Sequence, residues 1–265
     1  MPSAGCSDGS LFLIAPHSDD VAWSIGDLVH DTGGFAARTL VTVFSESDYA
    51  TDATRGNQAA VTKCRLAEDA AFCAAAGLAF VPCGIEDGLL RGYPDLRSMF
   101  TVEDCKRDPV FARVADALAA RIPDREDVCI VAPIGIGRHV DHAIVREAVK
   151  RVFRRAAMLF YEDLPYVWWL DDASLERVIR ERLGERHRPL YHIIRDLERR
   201  QRDVSFYASQ PAEAFLRRFA EAALRTRDGR FVERLWSAEE WPRIERLPFL
   251  ATRPDLRERL ILQPG

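Results

Sequence analysis

This 265-residue chain contains no C-x-x-C pair, no G-x-G-x-x-G after its first apolar run, no Gly/Ser linker and no long hydrophobic stretch. Each absence excludes something. The six cysteines (Cys6, Cys64, Cys73, Cys83, Cys105 and Cys129) lack the spacing of a thiol-redox motif, and in so long a chain they do not read as a disulfide framework. They are expected as free thiols, with Cys83 and Cys129 buried in strand-like runs. Without the glycine fingerprint a nucleotide- or sugar-binding module without catalysis has little support, and the GIG before His139 is too short to restore it. The apolar run Leu11–Ala15 falls far below the roughly 20 residues that cross a bilayer. The opening MPSAGCSDGS has no basic region followed by an apolar one, so the expectation is a cytoplasmic protein with no membrane partner. A surplus of positive charge is also missing. The 37 Lys+Arg against 41 Asp+Glu leave a net charge of −4, which argues against nucleic acid as a partner. Oligomeric state is not legible in the sequence.

What is present is an alternation. Short apolar runs lie at Leu11–Ala15, Thr39–Phe44, Leu78–Cys83, Val128–Ala132 and Met158–Tyr161. Between them, helical periodicity covers about Asp20–His30, Asn57–Ala76, Pro109–Arg121 and Asp141–Arg154. Gly77 is placed to stop the second helix and Pro109 to start the third. Strand–helix alternation predicts an α/β fold with a mostly parallel sheet and helices on both faces. The reading is one domain over 1–265, with a core of about 10–165 and a helical C-terminal elaboration of about 166–265. Within that elaboration Arg177–Arg202 is crowded with arginine interleaved with acidic residues, and reads as solvated helix faces. Further helix is expected near Pro211–Leu224, and WSAEEWP (Trp236–Pro242) reads as a loop or short edge element.

Only six histidines occur, and three fall in two short motifs, PHSDD (Pro16–Asp20) and GRHVDH (Gly137–His142). Each follows an apolar strand. Ligands of parallel sheets bind outside the carboxyl ends of the strands, so both motifs are expected on one edge. Imidazole and carboxylate together suit a divalent metal, and a catalytic zinc site often takes two histidines and one carboxylate, with a position left open for water. His17 and Asp20, separated by two residues on a strand-to-helix turn, and His142 are the expected ligands. Asp19, beside them without a ligand role, is placed as a general base. His139, as an imidazolium, can stabilise developing negative charge or protonate a leaving group. Asp141 either orients a histidine or caps the following helix. The plainer reading of PHSDD is a helix start with Ser18 or Asp19 as N-cap. The other three histidines, His30, His187 and His192, have no such context and read as structural or surface residues. The metal is expected to be Zn²⁺, with Fe²⁺ as the alternative.

APHSDD followed far downstream by HVDH resembles the PIG-L/LmbE-type zinc-dependent N-deacetylases over roughly Leu11–Pro165. The resemblance implies a Rossmann-like fold and hydrolysis of an acetamide on an amino sugar, with a small N-acetylated molecule as partner. It implies the same roles for His17, Asp20, His142, Asp19 and His139. RLAEDAAFCAAAGL is similar to the family's Arg-x-x-Glu helix and EDGLL to an Asp-Gly loop, which implies that Arg65 and Asp87 hold sugar hydroxyls. YEDLPY (Tyr161–Tyr166) is similar to the antibiotic-related branch. The chain departs from many members at Ser18 and Val21. At Gly137 the thiol-pathway members often carry a tyrosine, so a tyrosine that polarises the carbonyl must come from elsewhere. The implied activity is removal of an N-acetyl group from a secondary-metabolite or antibiotic amino sugar. The alternative is another C–N amide hydrolase, such as a thiol-conjugate amidase.

Overall fold

The computed structural model describes residues 7–51, 57–95, 97–100, 104–237 and 260–261. Strands β1 (Ser7–Ala15), β2 (Phe35–Thr42), β3 (Ala79–Pro82), β4 (Val128–Pro133) and β5 (Ala157–Tyr161) alternate with helices α1 (Asp20–His30), α2 (Gln58–Ala76), α3 (Val110–Arg121) and α4 (Val140–Val152). The C-terminal third adds α5 (Asp172–Leu183), β6 (Arg188–Ile193), α6 (Leu197–Ser205), α7 (Ala212–Ala222), β7 (Arg225–Thr226), β8 (Val232–Ser237) and β9 (Leu260–Ile261). Seven strands form one sheet in the order β3-β2-β1-β4-β5-β8-β6. The first five are mutually parallel, and β8 runs antiparallel to both of its neighbours. The α/β fold with a mostly parallel, Rossmann-like sheet is thus as expected.

Period-two alternation along the strands sends side chains to two cores. Leu11, Leu13 and Ala15 of β1 pack with α1, α2, α6 and α7, while Ile14 faces the side covered by α3, α4 and α5. β1 and β4 pair in the centre, and the chain leaves them toward opposite edges of the sheet. That is the topological switch point, where open α/β sheets hold their ligands. Local signals behave as read. Gly77 closes α2 at φ 67, Asn57 caps the same helix through Ala60 N, and Pro109 is the residue before α3.

Three expectations need correction. The C-terminal elaboration is not only helical, because β6 and β8 extend the main sheet. β6, RPLYHI, lies inside the arginine-rich stretch and alternates in burial, a period-two pattern hidden by its charged flanks. Trp236 and Ser237 end β8, an interior strand and no edge element, and 238–242 lie outside the described residues, as does Cys6. None of the other five cysteines is in a disulfide, and Cys129 is buried on β4. Cys83 is only half-buried, because it follows β3, the strand at the sheet's edge.

The arginine-rich stretch also hides a buried cation. Ile25 interrupts α1 with φ −140 and ψ 30. The break frees backbone groups on both sides. Arg200, fully buried on α6, donates to the carbonyls of Ala22 (2.7 Å) and Trp23. Glu233 of β8 accepts from the N–H groups of Asp27 (3.0 Å) and Leu28 (2.8 Å). The two side chains form an ion pair at 2.9 Å. This pair fills the gap in α1 and pins the elaboration to the helix that carries Asp20.

Candidate active site

The loop after β1 and the loop after β4 meet over the sheet edge. The His17 and His142 rings lie 5.3 Å apart between centroids, with His139 4.9 Å from one and 5.1 Å from the other. Donor atoms of His17, Asp20 and His142 all fall within 4.8 Å of one another. His17 Nδ1 is 3.4 Å from one Asp20 oxygen, and His142 Nε2 is 3.4 Å from the other. The remaining ring nitrogens are held from behind. His17 Nε2 is 2.9 Å from Asp141 Oδ2, and His142 Nδ1 is 2.6 Å from Asp163 Oδ1. Both carboxylates are fully buried. Asp141 is itself fixed by Arg91 at 2.5 Å and by the Gly88 N–H, and Asp163 by the Ile136 N–H.

These donors fit a divalent cation. Histidine ligands of metal sites commonly give their second nitrogen to a carboxylate, which sets tautomer and ring orientation. The charges point the same way. Burial pulls His17 down, yet Asp141 and Asp20 outweigh it and push its pKa up to about 10. Burial raises Asp20, yet His142 and His17 hold it down at about 2. Burial likewise pulls His142 down, yet Asp20 and Asp163 raise it, so the surrounding carboxylates concentrate negative charge that a divalent cation would neutralise in place of ring protons. A second grouping, His17, His139 and Asp141, also falls within range. It is a poorer donor set, because both Asp141 oxygens are already committed.

Asp19 stands at the N-cap position of α1 with φ 104, a left-handed conformation that a non-glycine residue adopts at a cost. Its side chain makes no capping bond, and the Ser18 hydroxyl donates to Asp69 instead, at 2.8 Å. The helix-start reading therefore explains neither side chain. Asp19 is 3.6 Å from Arg65 and faces the cavity. Burial pushes its pKa up to about 8, against the pull of Arg65. Arg65 is buried and donates to the carbonyls of Ser18 (2.7 Å) and Tyr49 (3.2 Å), so it fixes the Asp19 turn as well as lining the cavity. Asp87, after β3, is buried and lines the same cavity. Asp141 sits at the start of α4, but the cap there is His139, whose Nδ1 accepts from the Asp141 N–H at 3.2 Å. That bond leaves the His139 proton on Nε2. Burial, with His17 and His142 nearby, lowers the His139 pKa well below the usual value, so the ring is neutral and not the expected imidazolium.

The cavity, about 260 Å³, holds every residue assigned a catalytic, metal or sugar-binding role from the sequence. It also holds residues that were not singled out: Trp23, Tyr49, Phe100, Tyr166 and Gln210. Tyr166 answers the departure at Gly137. A Cβ on Gly137, whose φ is +83, would lie 2.7 to 3.0 Å from the Tyr166 side chain. The tyrosine ring occupies that space, 5.7 Å from the His142 ring. Asp163 also escaped assignment, although it follows β5 at the same sheet edge within YEDLPY, and its position after a strand was the available signal. The three remaining histidines lie outside the cavity. His30 pairs with Asp203 and His192 with Asp27, both tying α1 to the elaboration, and His187 contacts the Gly184 carbonyl.

Comparison with known proteins agrees with this architecture. Over 181 residues, 66% of this chain, the sequence is 37% identical to a 2'-N-acetylparomamine deacetylase of Streptomyces fradiae, and the match spans 64% of that protein, just short of two thirds. A deacetylase from the biosynthesis pathway of teicoplanin superposes with a TM-score of 0.66 at 21% identity, covering 86% of this chain and 96% of that one. A zinc-inhibited form of teicoplanin deacetylase gives 0.65 at 21% identity, covering 86% and 97%. At such identities these structures speak for the fold. The family model described as GlcNAc-PI de-N-acetylase matches residues 12–153, more than half of the chain. This protein belongs to that family, PIG-L.

Proposed function

We propose that the protein is a metal-dependent hydrolase that removes an N-acetyl group from an amino-sugar intermediate of the antibiotic type. The observation that carries this reading is the convergence of His17, Asp20 and His142 with the Asp19 carboxylate, which caps no helix and is held by Arg65, beside them. The relative named for acetylated paromamine supports the substrate class. His17, Asp20 and His142 would hold the cation, with Asp141 and Asp163 orienting the two rings. A bound divalent cation supplies Lewis-acid polarisation and a water of lowered pKa.

The residues of the chain supply the rest. Asp19 accepts a proton from the attacking water as its oxygen adds to the acetamide carbon. Arg65 keeps that carboxylate turned into the cavity. The His139 Nε2–H donates to the oxygen that gains negative charge. The Tyr166 hydroxyl, held protonated because burial raises its pKa well above the usual phenol value, is the second donor available. As the C–N bond breaks, the nitrogen takes up the proton from Asp19, leaving amine and acetate. His139→Ala is expected to lower kcat by about 10²–10³, the usual cost of an oxyanion donor. A stopped assay of acetate release measures it, and a loss under tenfold would remove His139 from this role.

The cation is testable apart from turnover. His142→Ala is expected to purify with substoichiometric metal by elemental analysis. Asp163→Asn is expected to weaken metal binding by about 10- to 100-fold, as outer partners of ligating histidines do. Zinc is the first choice for a two-histidine, one-carboxylate site, and iron(II) is to be compared under anaerobic reconstitution. The decisive assay for the whole reading is release of acetate from 2'-N-acetylparomamine by the metal-loaded protein. Loss of activity after chelation and its return with metal are the expected result. Undiminished hydrolysis by thoroughly chelated protein would overturn it.

A further inference from the structure

We infer that a second cavity beside the acetamide site is a saccharide subsite that takes the cationic ring of a two-ring amino sugar, an inference that rests on the deacetylase reading above. The site cavity, about 260 Å³, falls below the roughly 300–1,000 Å³ of pockets that bury most of a drug-sized ligand. The neighbouring cavity is larger, about 590 Å³. Leu164 lines both. A row of aromatic rings leads from one to the other. Tyr166 stands 5.7 Å from His142, and Trp169 stands 5.5 Å from Tyr166.

Trp169 is 66% exposed on the rim of the second cavity, with Trp168 and Phe219 further inside. Trp169 is not isolated: it lines one cavity with Trp168 and Phe219, whose rings lie 6.3 Å apart, and contiguous apolar patches of this kind mark ligand grooves. A sugar ring, apolar on its axial C–H face and polar at its edge, is the partner such a surface fits. The charges select which ring. Glu162 is matched by Arg234 at 2.5 Å, and Glu233 by Arg200. That leaves Asp171 and Asp172 at the first turn of α5, exposed and in no ion pair among the described residues. Asp171 caps the helix by accepting from the Ser174 N–H at 2.7 Å, and the Ser174 side chain also bonds to it. Two exposed carboxylates in no ion pair, with Arg177 acting on Asp171 only from further off, stand beside the Trp169 indole and suit a ring that bears ammonium groups, through Coulomb attraction and cation–π contact. In acetylated paromamine the ring that does not react is a diaminocyclitol and carries two such groups.

The test compares metal-loaded wild type, Trp169→Ala and the double variant Asp171→Asn/Asp172→Asn. Asparagine keeps the cap on α5 and removes only charge. Each is assayed on 2'-N-acetylparomamine and on methyl N-acetylglucosaminide, which offers the same acetamide on one ring. The ratio of kcat/KM for two rings over one is expected to fall about five- to thirtyfold in Trp169→Ala, mainly through KM, the range of an aromatic–cation contact. In the double variant the fall is expected to shrink with added salt. A ratio within twofold of wild type in both variants overturns the subsite. Should wild type release acetate from neither compound, the deacetylase reading fails and calorimetry with paromamine itself decides the subsite. Binding that weakens in Trp169→Ala supports it. Equal binding, or none to wild type, overturns it.

Discussion

Asp19→Asn is expected to keep its metal and lose about 10²–10⁴ in kcat, the range over which a positioned general base acts. The substitution is nearly isosteric, and asparagine tolerates left-handed φ better than most residues, so the turn at φ 104 survives. His17, Asp20 and His142 are untouched, and their donor geometry does not depend on the Asp19 carboxylate. What disappears is the proton acceptor held by Arg65 over the cavity. Metal content by elemental analysis and turnover by acetate release therefore separate, with the first near wild type and the second collapsed. Near-normal turnover in Asp19→Asn would mean that another group takes the proton from water. Loss of metal together with turnover would mean that Asp19 belongs to the ligand set.

Arg200→Met is expected to cost about 3–5 kcal/mol of folding stability, read by denaturant unfolding, because it leaves Glu233 buried and unpaired. The revealing measurement is the double variant Arg200→Met/Glu233→Leu. Replacing an ordinary buried ion pair with apolar residues is often neutral or stabilising. Here the pair also serves the carbonyls of Ala22 and Trp23 and the N–H groups of Asp27 and Leu28, freed by the break at Ile25. Each such buried group left bare costs about 1–3 kcal/mol. The double variant should therefore remain well below wild type. A double variant as stable as wild type would show that α1 closes its own gap.

The strand–helix alternation was legible because each element carried its own period and its own stop. Asp20–His30 was read with the bounds that the structure gives, and Gly77 and Pro109 stand at helix ends as anticipated. The site was legible for a related reason. His17 follows β1 directly and His142 lies in the first turn of the helix after β4, and parallel neighbours share an edge, so two motifs 125 residues apart could be brought together on topology alone. Pairing between side chains far apart in sequence was not legible. The arginine-rich stretch gave no hint that Arg200 turns inward, because its partner lies on β8 and its carbonyls come from a helix break that leaves no compositional mark. Asp163 was hidden for the same reason. Its role comes from a 2.6 Å contact with a ring on α4. The charge state of His139 was misjudged because spacing reveals proximity and says nothing of desolvation.

The carboxylates behind the two imidazoles come from different strand ends than the rings they steady. Asp141, after β4, steadies His17, after β1, and Asp163, after β5, steadies His142. Anyone transplanting this centre onto another scaffold by copying only the two histidine motifs would carry His17 with its brace and leave the His142 ring free to swivel. The smallest portable unit spans three consecutive loops along the sheet, and its last member, at position 163, falls ten residues past the stretch that the family model recognises.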